Sequence, residues 1–328
     1  MAITIKDIAR LAGVNLSTVS RALNDSYGVN EKTRAKVLAV AQSLNYQPNR
    51  VARGLVTGQT HTLGLIISDI RNPFFAEIAR GAQDAASRAG CDLILCNADL
   101  DPVKQLGYVH SLLSKRVDGI LMNSVAAFSR AEKEELASCG VHIVLLNRSP
   151  QMKSFSVVCA DNYQGGMLAG EYLRKLGHRR VGHLTGPKRH GNLTDRAQGF
   201  LKVYPDALVI YGEHTFTGGH AMAHRLLEKH PDVTAVFAAN DVIAFGVIRA
   251  ALEMGRRIPE DLSIIGFDNV EVSGIIHPPL TTIQQPKYEM GEAAVEILTK
   301  CAYQSAGGMP ESRVLGVQLI ERQSCRSI

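Results

Sequence analysis

Ile5, Ile8, Ala9 and Ala12 fall at i, i+3, i+4 and i+7, a single apolar stripe with the period of an α-helix. Thr4 and Asp7 supply a capping-box-like start, and Gly13 breaks the segment. Asn15 suits the cap of a second short helix in which Val19, Ala22 and Leu23 point inward, while Leu16, Ser17, Ser20, Arg21 and Asn24 take the opposite face. A third helical pattern runs from about Glu31 to Leu44 behind Asn30 and sets Val37, Val40, Ala41 and Leu44 on one side. Three short helices can then close a small core over residues 1–46, the first two in a helix-turn-helix. Pro48 to Leu55 reads as a brief further helix with proline near its first turn, inside a hinge and linker at 47–60. So short a helix does not offset its nucleation cost alone, and its order depends on what it contacts.

The pattern changes at Leu63. Apolar runs at Leu63 to Ser68, Asp92 to Asn97, Val117 to Asn123, Val141 to Asn147, Val181 to Thr185, Leu208 to Tyr211, Ala235 to Ala239 and Leu262 to Asp268 alternate with amphipathic stretches. This rhythm predicts parallel strands joined by helices. So many strands exceed one comfortable sheet. The fold class expected is therefore an α-helical head plus an α/β core of two doubly wound parallel-sheet subdomains, with a ligand in the cleft between them. The boundaries fall at 61–161 plus about 286–317 for one subdomain and 162–285 plus about 318–328 for the other.

Charge adds a partner to this picture. Residues 1–60 hold eight Lys or Arg against Asp7, Asp25 and Glu31, a net of +5 that equals the net charge of all 328 residues. The remainder balances at 28 basic and 28 acidic, so the excess positive charge sits on the helical head, where it suits phosphate. Small polar groups and one arginine on the outer face of the second helix suit the edge of a DNA major groove.

The remaining composition mostly excludes. No apolar run approaches the ~20 residues that span a bilayer, and the chain opens on a polar capped helix rather than a charged-then-apolar leader, so a cytoplasmic protein without membrane contact is expected. Six cysteines are scattered without a Cys-x-x-Cys pair and read as free thiols. His220 and His224 lie at i, i+4 on a helix, but no third ligand is evident, and neither metal nor cofactor is expected. There is no Gly-x-Ser-x-Gly elbow, no phosphate loop of the Gly-x-x-x-x-Gly-Lys-Ser/Thr kind, and no Gly-x-Gly-x-x-Gly after a strand. An enzyme is therefore disfavoured. A transport binding protein would carry a leader and lack the helical head.

Several motifs recur in order along the chain: Ile-Lys-Asp-Ile-Ala with Val-x-x-Ser-Thr-Val-Ser-Arg, then Asn45-Tyr-Gln-Pro-Asn, Val51-Ala-Arg-Gly-Leu55, Asn72-Pro-Phe-Phe75, Ala239-Asn-Asp241, Ile265-Gly-Phe-Asp-Asn269 and Thr281-Thr-Ile-Gln-Gln-Pro286. In these the chain resembles the lactose-repressor family of bacterial transcription regulators over essentially its whole length. The resemblance implies a DNA-binding head, a hinge helix, and a core like that of periplasmic sugar-binding proteins, assembled as a homodimer on a pseudo-palindromic operator in double-stranded DNA. It implies a DNA-facing set of Thr4, Leu16, Ser17, Thr18, Ser20, Arg21, Asn24, Asn49, Ala52, Arg53 and Leu55. Within that set Leu16, Ser17 and Arg21 read bases, and Leu55 is a minor-groove wedge beside the small Ala52.

For the core it implies a small-molecule effector, most simply a monosaccharide, held by Asn72, Phe74, Phe75, Asn147, Arg148, Arg196, Asn240 and Asp268. Gln284 or Gln285 completes the set, with Gln284 assigned to it. The pattern is most similar to ribose-type binders, with Asn147 standing where those proteins often carry aspartate. A regulator of the same family with a purine or phosphorylated-sugar corepressor is the alternative.

Overall fold

The computed structural model describes residues 3–25, 27–46, 58–123, 128–148, 152, 154–187, 191–303 and 309–328. By contacts it divides into two units, Met1–Thr60 and His61–Ile328. The smaller contains α1 (Ile5–Ala12), α2 (Leu16–Leu23) and α3 (Glu31–Ser43). Ile8, Ala12, Val19, Ala22, Val37 and Ala41 are buried between them. The Thr4 backbone N–H and hydroxyl both donate to Asp7 Oδ2, at 3.0 and 2.8 Å, which fixes the first turn of α1. Gly13 ends that helix at φ 66°, in the left-handed region glycine enters without steric cost. Two residues later Asn15 Oδ1 accepts from the Thr18 backbone N–H at 2.7 Å and starts α2.

In the larger unit, β1 (Thr62–Ile67), β2 (Asp92–Asn97), β3 (Gly119–Asn123), β4 (His142–Leu146), β5 (Ser156–Ala160) and β11 (Ser312–Leu315) form one parallel sheet in the order β11-β5-β4-β3-β1-β2. A second sheet, ordered β12-β10-β9-β8-β6-β7, draws on β6 (Val181–Thr185), β7 (Leu208–Tyr211), β8 (Ala235–Ala238), β9 (Ser263–Asp268), β10 (Thr281–Gln284) and β12 (Gln318–Ile320). Only β12 runs antiparallel to its neighbour among the described strands. Central strands such as β3, β6 and β9 are buried at every residue, as expected where helices cover both faces.

The helices are α4 (Phe74–Arg88), α5 (Pro102–Ser114), α6 (Arg130–Ala137), α7 (Asn162–Lys175), α8 (Gly191–Val203), α9 (Phe216–Lys229), α10 (Asp241–Glu253), α11 (Val272–Ile275) and α12 (Lys287–Tyr303). The chain passes between the sheets after β5, after β10 and between β11 and β12. Helix α12 returns to the first sheet, where Met290, Ala294, Ile297 and Leu298 join Leu65, Ile78 and Val144 in one core. In the second subdomain α9 and α10 touch through their backbones. A Cβ at Gly219 would stand 2.4 Å from Ile243 O, and one at Gly246 2.2 Å from Phe216 O.

Strands β5, β10, β11 and β12 go beyond the eight runs that stand out in the sequence. β11 and β12 are short edge strands and β10 begins with two threonines, so these three carry little apolar pattern, whereas β5 is as long and as apolar as β3 and β4. No helix among the described residues is long and apolar enough to cross a membrane.

Candidate functional site

Each sheet reverses its strand order beside its first strand, with β1 between β2 and β3 and β6 between β7 and β8. At such a reversal adjacent crossovers leave in opposite directions and open a crevice beyond the carboxyl ends of the strands. A cavity of about 400 Å³ lies there, walled by both subdomains. From the first come Ser68, Asp69, Arg71, Asn72, Phe74, Phe75, Leu100, Asn123 and Asn147. The second contributes Asn192, Leu193, Arg196, His214, Thr215, Phe216, Thr217, Asn240, Val242 and Asp268.

Phe74 and Phe75 pack edge to face, with ring centroids 5.1 Å apart and planes at 82°, so one wall is aromatic. Asn72 Oδ1 accepts from the Phe74 backbone N–H at 3.0 Å and fixes the turn that delivers both rings. Asn240 Oδ1 caps α10 through the Ile243 N–H at 2.7 Å, which leaves its amide NH2 as the group it offers the cavity.

Arg196 and Asp268 are the most deeply buried charges of this site, each at most 3% exposed. The Arg196 guanidinium lies 3.7 Å from the centre of the Phe267 ring. Its Nε donates to Asn162 Oδ1 at 2.7 Å and its Nη1 to Ala239 O at 2.5 Å, with Asp268 Oδ1 3.7 Å away. Burial pulls its pKa down to about 10, so it remains a cation at neutral pH. Burial also pushes the Asp268 carboxyl up to about 7, against the pull of Arg196.

The Asp268 backbone stands at φ 111°, an outlying value for a residue with a side chain. Neighbours hold it there. Lys287 Nζ donates to Asp268 O at 2.7 Å and Asn269 O at 2.8 Å. Buried Asp241 accepts from Val270 N, Ser273 Oγ and Thr282 Oγ1 at 2.9, 2.7 and 2.6 Å, which pins the loop that leaves β9.

Across the cleft, Asn147 also takes a positive φ, 53°, and its Nδ2 donates to Asn123 Oδ1 at 3.2 Å. Asn123 Nδ2 in turn donates to Ser68 Oγ. Asn147 Oδ1 and Asn192 Oδ1 are buried without a hydrogen-bond partner among the described residues. An acceptor left so is costly unless something fills the cavity.

Two sequence assignments need correction. Gln284 does not line the cavity. As the last residue of β10 it accepts from Asn269 Nδ2 at 2.9 Å, and because alternate strand residues face opposite ways it is buried Gln285 whose Nε2 reaches Asp268 Oδ1, at 2.6 Å. Arg148 is also absent from the lining. It is buried with its guanidinium 5.6 Å from the centre of the Phe128 ring. The sequence reading missed Ser68, Asp69, Arg71, Leu100, Asn123, Leu193, His214 to Thr217 and Val242; of these Ser68, Asp69 and Asn123 stand at or directly after strand ends, where the strand-end rule applies equally. Asn192 carries no local signal.

In the helical unit, Leu16 is 44% exposed, and Ser17, Arg21 and Asn24 are exposed beside half-buried Thr18 and Ser20. The Ser17 and Thr18 hydroxyls both donate to Asn15 Oδ1, at 2.8 and 2.7 Å, and Asn24 Nδ2 donates to Ser20 O at 2.9 Å. Thr4 is exposed and tied to Asp7. Asn49, Ala52, Arg53 and Leu55, with the hinge helix that carries them, lie outside the described residues.

A small helical head with an exposed polar and cationic helix face, in one chain with a ligand cavity between two parallel-sheet subdomains, defines a ligand-responsive DNA-binding regulator. Residues 4–49 match the family described as bacterial regulatory proteins, lacI family, and residues 60–315 match periplasmic binding proteins and sugar binding domain of LacI family. The chain belongs to the LacI family of bacterial regulatory proteins, and it is a transcription regulator rather than an enzyme.

Among its relatives, the ribose operon repressor of Bacillus subtilis (strain 168) is 37% identical over 300 residues, which covers 90% of each chain. The lac repressor dimer bound to operator and the anti-inducer ONPF is similar over the full length of both chains, at 28% identity and a TM-score of 0.88. A LacI family transcriptional regulator from Enterococcus faecalis V583 with bound ribose is 36% identical, with a TM-score of 0.75 over 81% of this chain and 99% of that one.

Proposed function

We propose that this regulator is a cytoplasmic repressor that binds a pseudo-palindromic operator as a homodimer and is released by a pentose, D-ribose first among them. The observation that carries this reading is the composition of the cavity. Aromatic Phe74 and Phe75 stand on one side for the C–H face of a sugar, and Arg196, Asp268, Asn147 and Asn192 supply donors and acceptors for its hydroxyls. At about 400 Å³ it has room for a monosaccharide and its water. The likeness to a ribose operon repressor and to a ribose-bound regulator supports the choice of sugar. Leu16, Ser17 and Arg21 meet the bases from α2, while Thr4, Thr18, Ser20, Asn24, Asn49 and Arg53 contact the backbone and edges and Leu55, flanked by Ala52, wedges the central step. Cleft closure around the sugar acts on the DNA through the linker, because a ligand that prefers one arrangement shifts the population towards it.

The test is a thermal-shift panel of pentoses, hexoses, their phosphates and purine bases, followed by operator binding with and without the ligand that responds. A selective shift with D-ribose, together with weakened operator binding, is expected. A shift with a phosphorylated sugar or a purine alone, or a ribose complex that binds operator more tightly, would overturn the sugar-released reading.

A further inference from the structure

Outside the cavity, one cluster on the second subdomain has the chemistry of a metal site. His220 and His224 sit one turn apart on α9 with ring centroids 4.7 Å apart, and Glu253 reaches them from the last turn of α10. Glu253 Oε2 is 2.7 Å from His220 Nε2 and 3.7 Å from His224 Nε2. These three side chains are the one group among the described residues whose ligand atoms converge in this way, all within 4.8 Å of one another. Donors around a tetrahedral Zn2+ at ~2.0–2.1 Å stand ~3.3 Å apart, between the two distances observed.

The surroundings fit the same chemistry. Glu228 Oε1 lies 3.5 Å from His224 Nδ1, so this carboxylate can hold the Nδ1–H and leave Nε2 as the lone-pair donor. Arg249 Nε donates to Glu253 Oε1 at 2.5 Å and fixes the other carboxylate oxygen, which points Oε2 at the rings. The close backbone contact of Gly219 with Ile243 and of Gly246 with Phe216 brings α9 near enough to α10 for side chains on both helices to share one ion. The cluster is about one-third exposed, which admits an ion and leaves a fourth position to water.

We propose that His220, His224 and Glu253 form a binding site for a borderline divalent cation of the Zn2+ class, separate from the sugar cavity. Two imidazoles and one carboxylate select Zn2+ or Co2+ over Mg2+ or Ca2+, which take oxygen ligands. On binding, His220 coordinates as the neutral imidazole with its one proton on Nδ1, and the metal takes the place of the Nε2 contact with Glu253 between the two side chains.

The experiment is titration of the tag-free, full-length protein with Zn2+ against a chromogenic chelator, with Co2+ as a spectroscopic substitute. We expect one Zn2+ per chain and at least a tenfold loss of affinity in His220→Gln and in His224→Gln, with circular dichroism and the thermal midpoint unchanged. Glu228→Gln, which removes no ligand, should weaken binding about tenfold. The chain also carries six free cysteines, so the Co2+ spectrum matters. Visible d–d bands without a near-ultraviolet thiolate band support the site. A thiolate band, or Zn2+ affinity unchanged in the double variant His220→Gln/His224→Gln, would overturn it.

Discussion

At the residue scale the cavity depends on two buried charges. Asp268 ends β9 at a strained φ, and as a carboxylate it accepts charge-assisted bonds from sugar hydroxyls that are about twice as strong as those its neutral acid can accept. Burial raises its pKa to about 7, so the ionised fraction grows as pH rises through neutrality. Sugar affinity should therefore increase between about pH 6 and pH 8. Asp268→Asn should bind about tenfold or more weakly at the upper end, since it loses a charge-assisted bond, and its affinity should not vary with pH. Calorimetric titration with D-ribose at several pH values checks this, and a flat wild-type profile would remove Asp268 from the ligand's partners. Arg196 entered the expected site through the family resemblance, within the run Asp195-Arg-Ala-Gln-Gly-Phe200. Its stacking on Phe267 and its bonds to Asn162 and Ala239 were not legible there, because those partners lie far along the chain.

At the element scale, the recognition helix depends on its cap. Asn15 Oδ1 collects three donors, the Thr18 N–H and the Ser17 and Thr18 hydroxyls, and so sets both the start of α2 and the direction of two hydroxyls on the side we propose to face DNA. Asn15→Ala should cost the head about 1 kcal/mol, the usual loss for an N-cap, read as faster hydrogen exchange of α1–α3 amides in the full chain. Operator affinity should fall further than stability does, because Ser17 and Thr18 lose their orientation. If affinity is unchanged while exchange accelerates, the hydroxyls do not depend on the cap. The three helices, the Asn caps and Gly13 were all readable from local pattern, since capping and periodicity act within a few residues. Strands β11 and β12 were not, because a short edge strand is defined by the neighbour it pairs with.

At the scale of the whole molecule, the two units have separate hydrophobic cores, one small and helical and the other spread over both faces of two sheets. Thermal unfolding should then show two transitions, with D-ribose moving only that of the larger unit. At about a hundred times its dissociation constant the sugar adds roughly 2.7 kcal/mol, several degrees for a domain of this size. A single transition displaced as a whole by the sugar would show instead that head and core unfold together. The sequence by itself determined the helix-turn-helix, the location of the positive charge, the alternation of strands and helices, and seven of the nineteen described residues that line the cleft. These follow from periodicity, capping and the rule that α/β sheets present ligand groups at strand ends. Only the tertiary structure decided that Gln285 rather than Gln284 turns toward Asp268, that the Arg148 guanidinium lies over the Phe128 ring, and that Glu253 joins His220 and His224. Each depends on which residues distant in sequence are brought within a few ångströms, and local pattern carries no record of that.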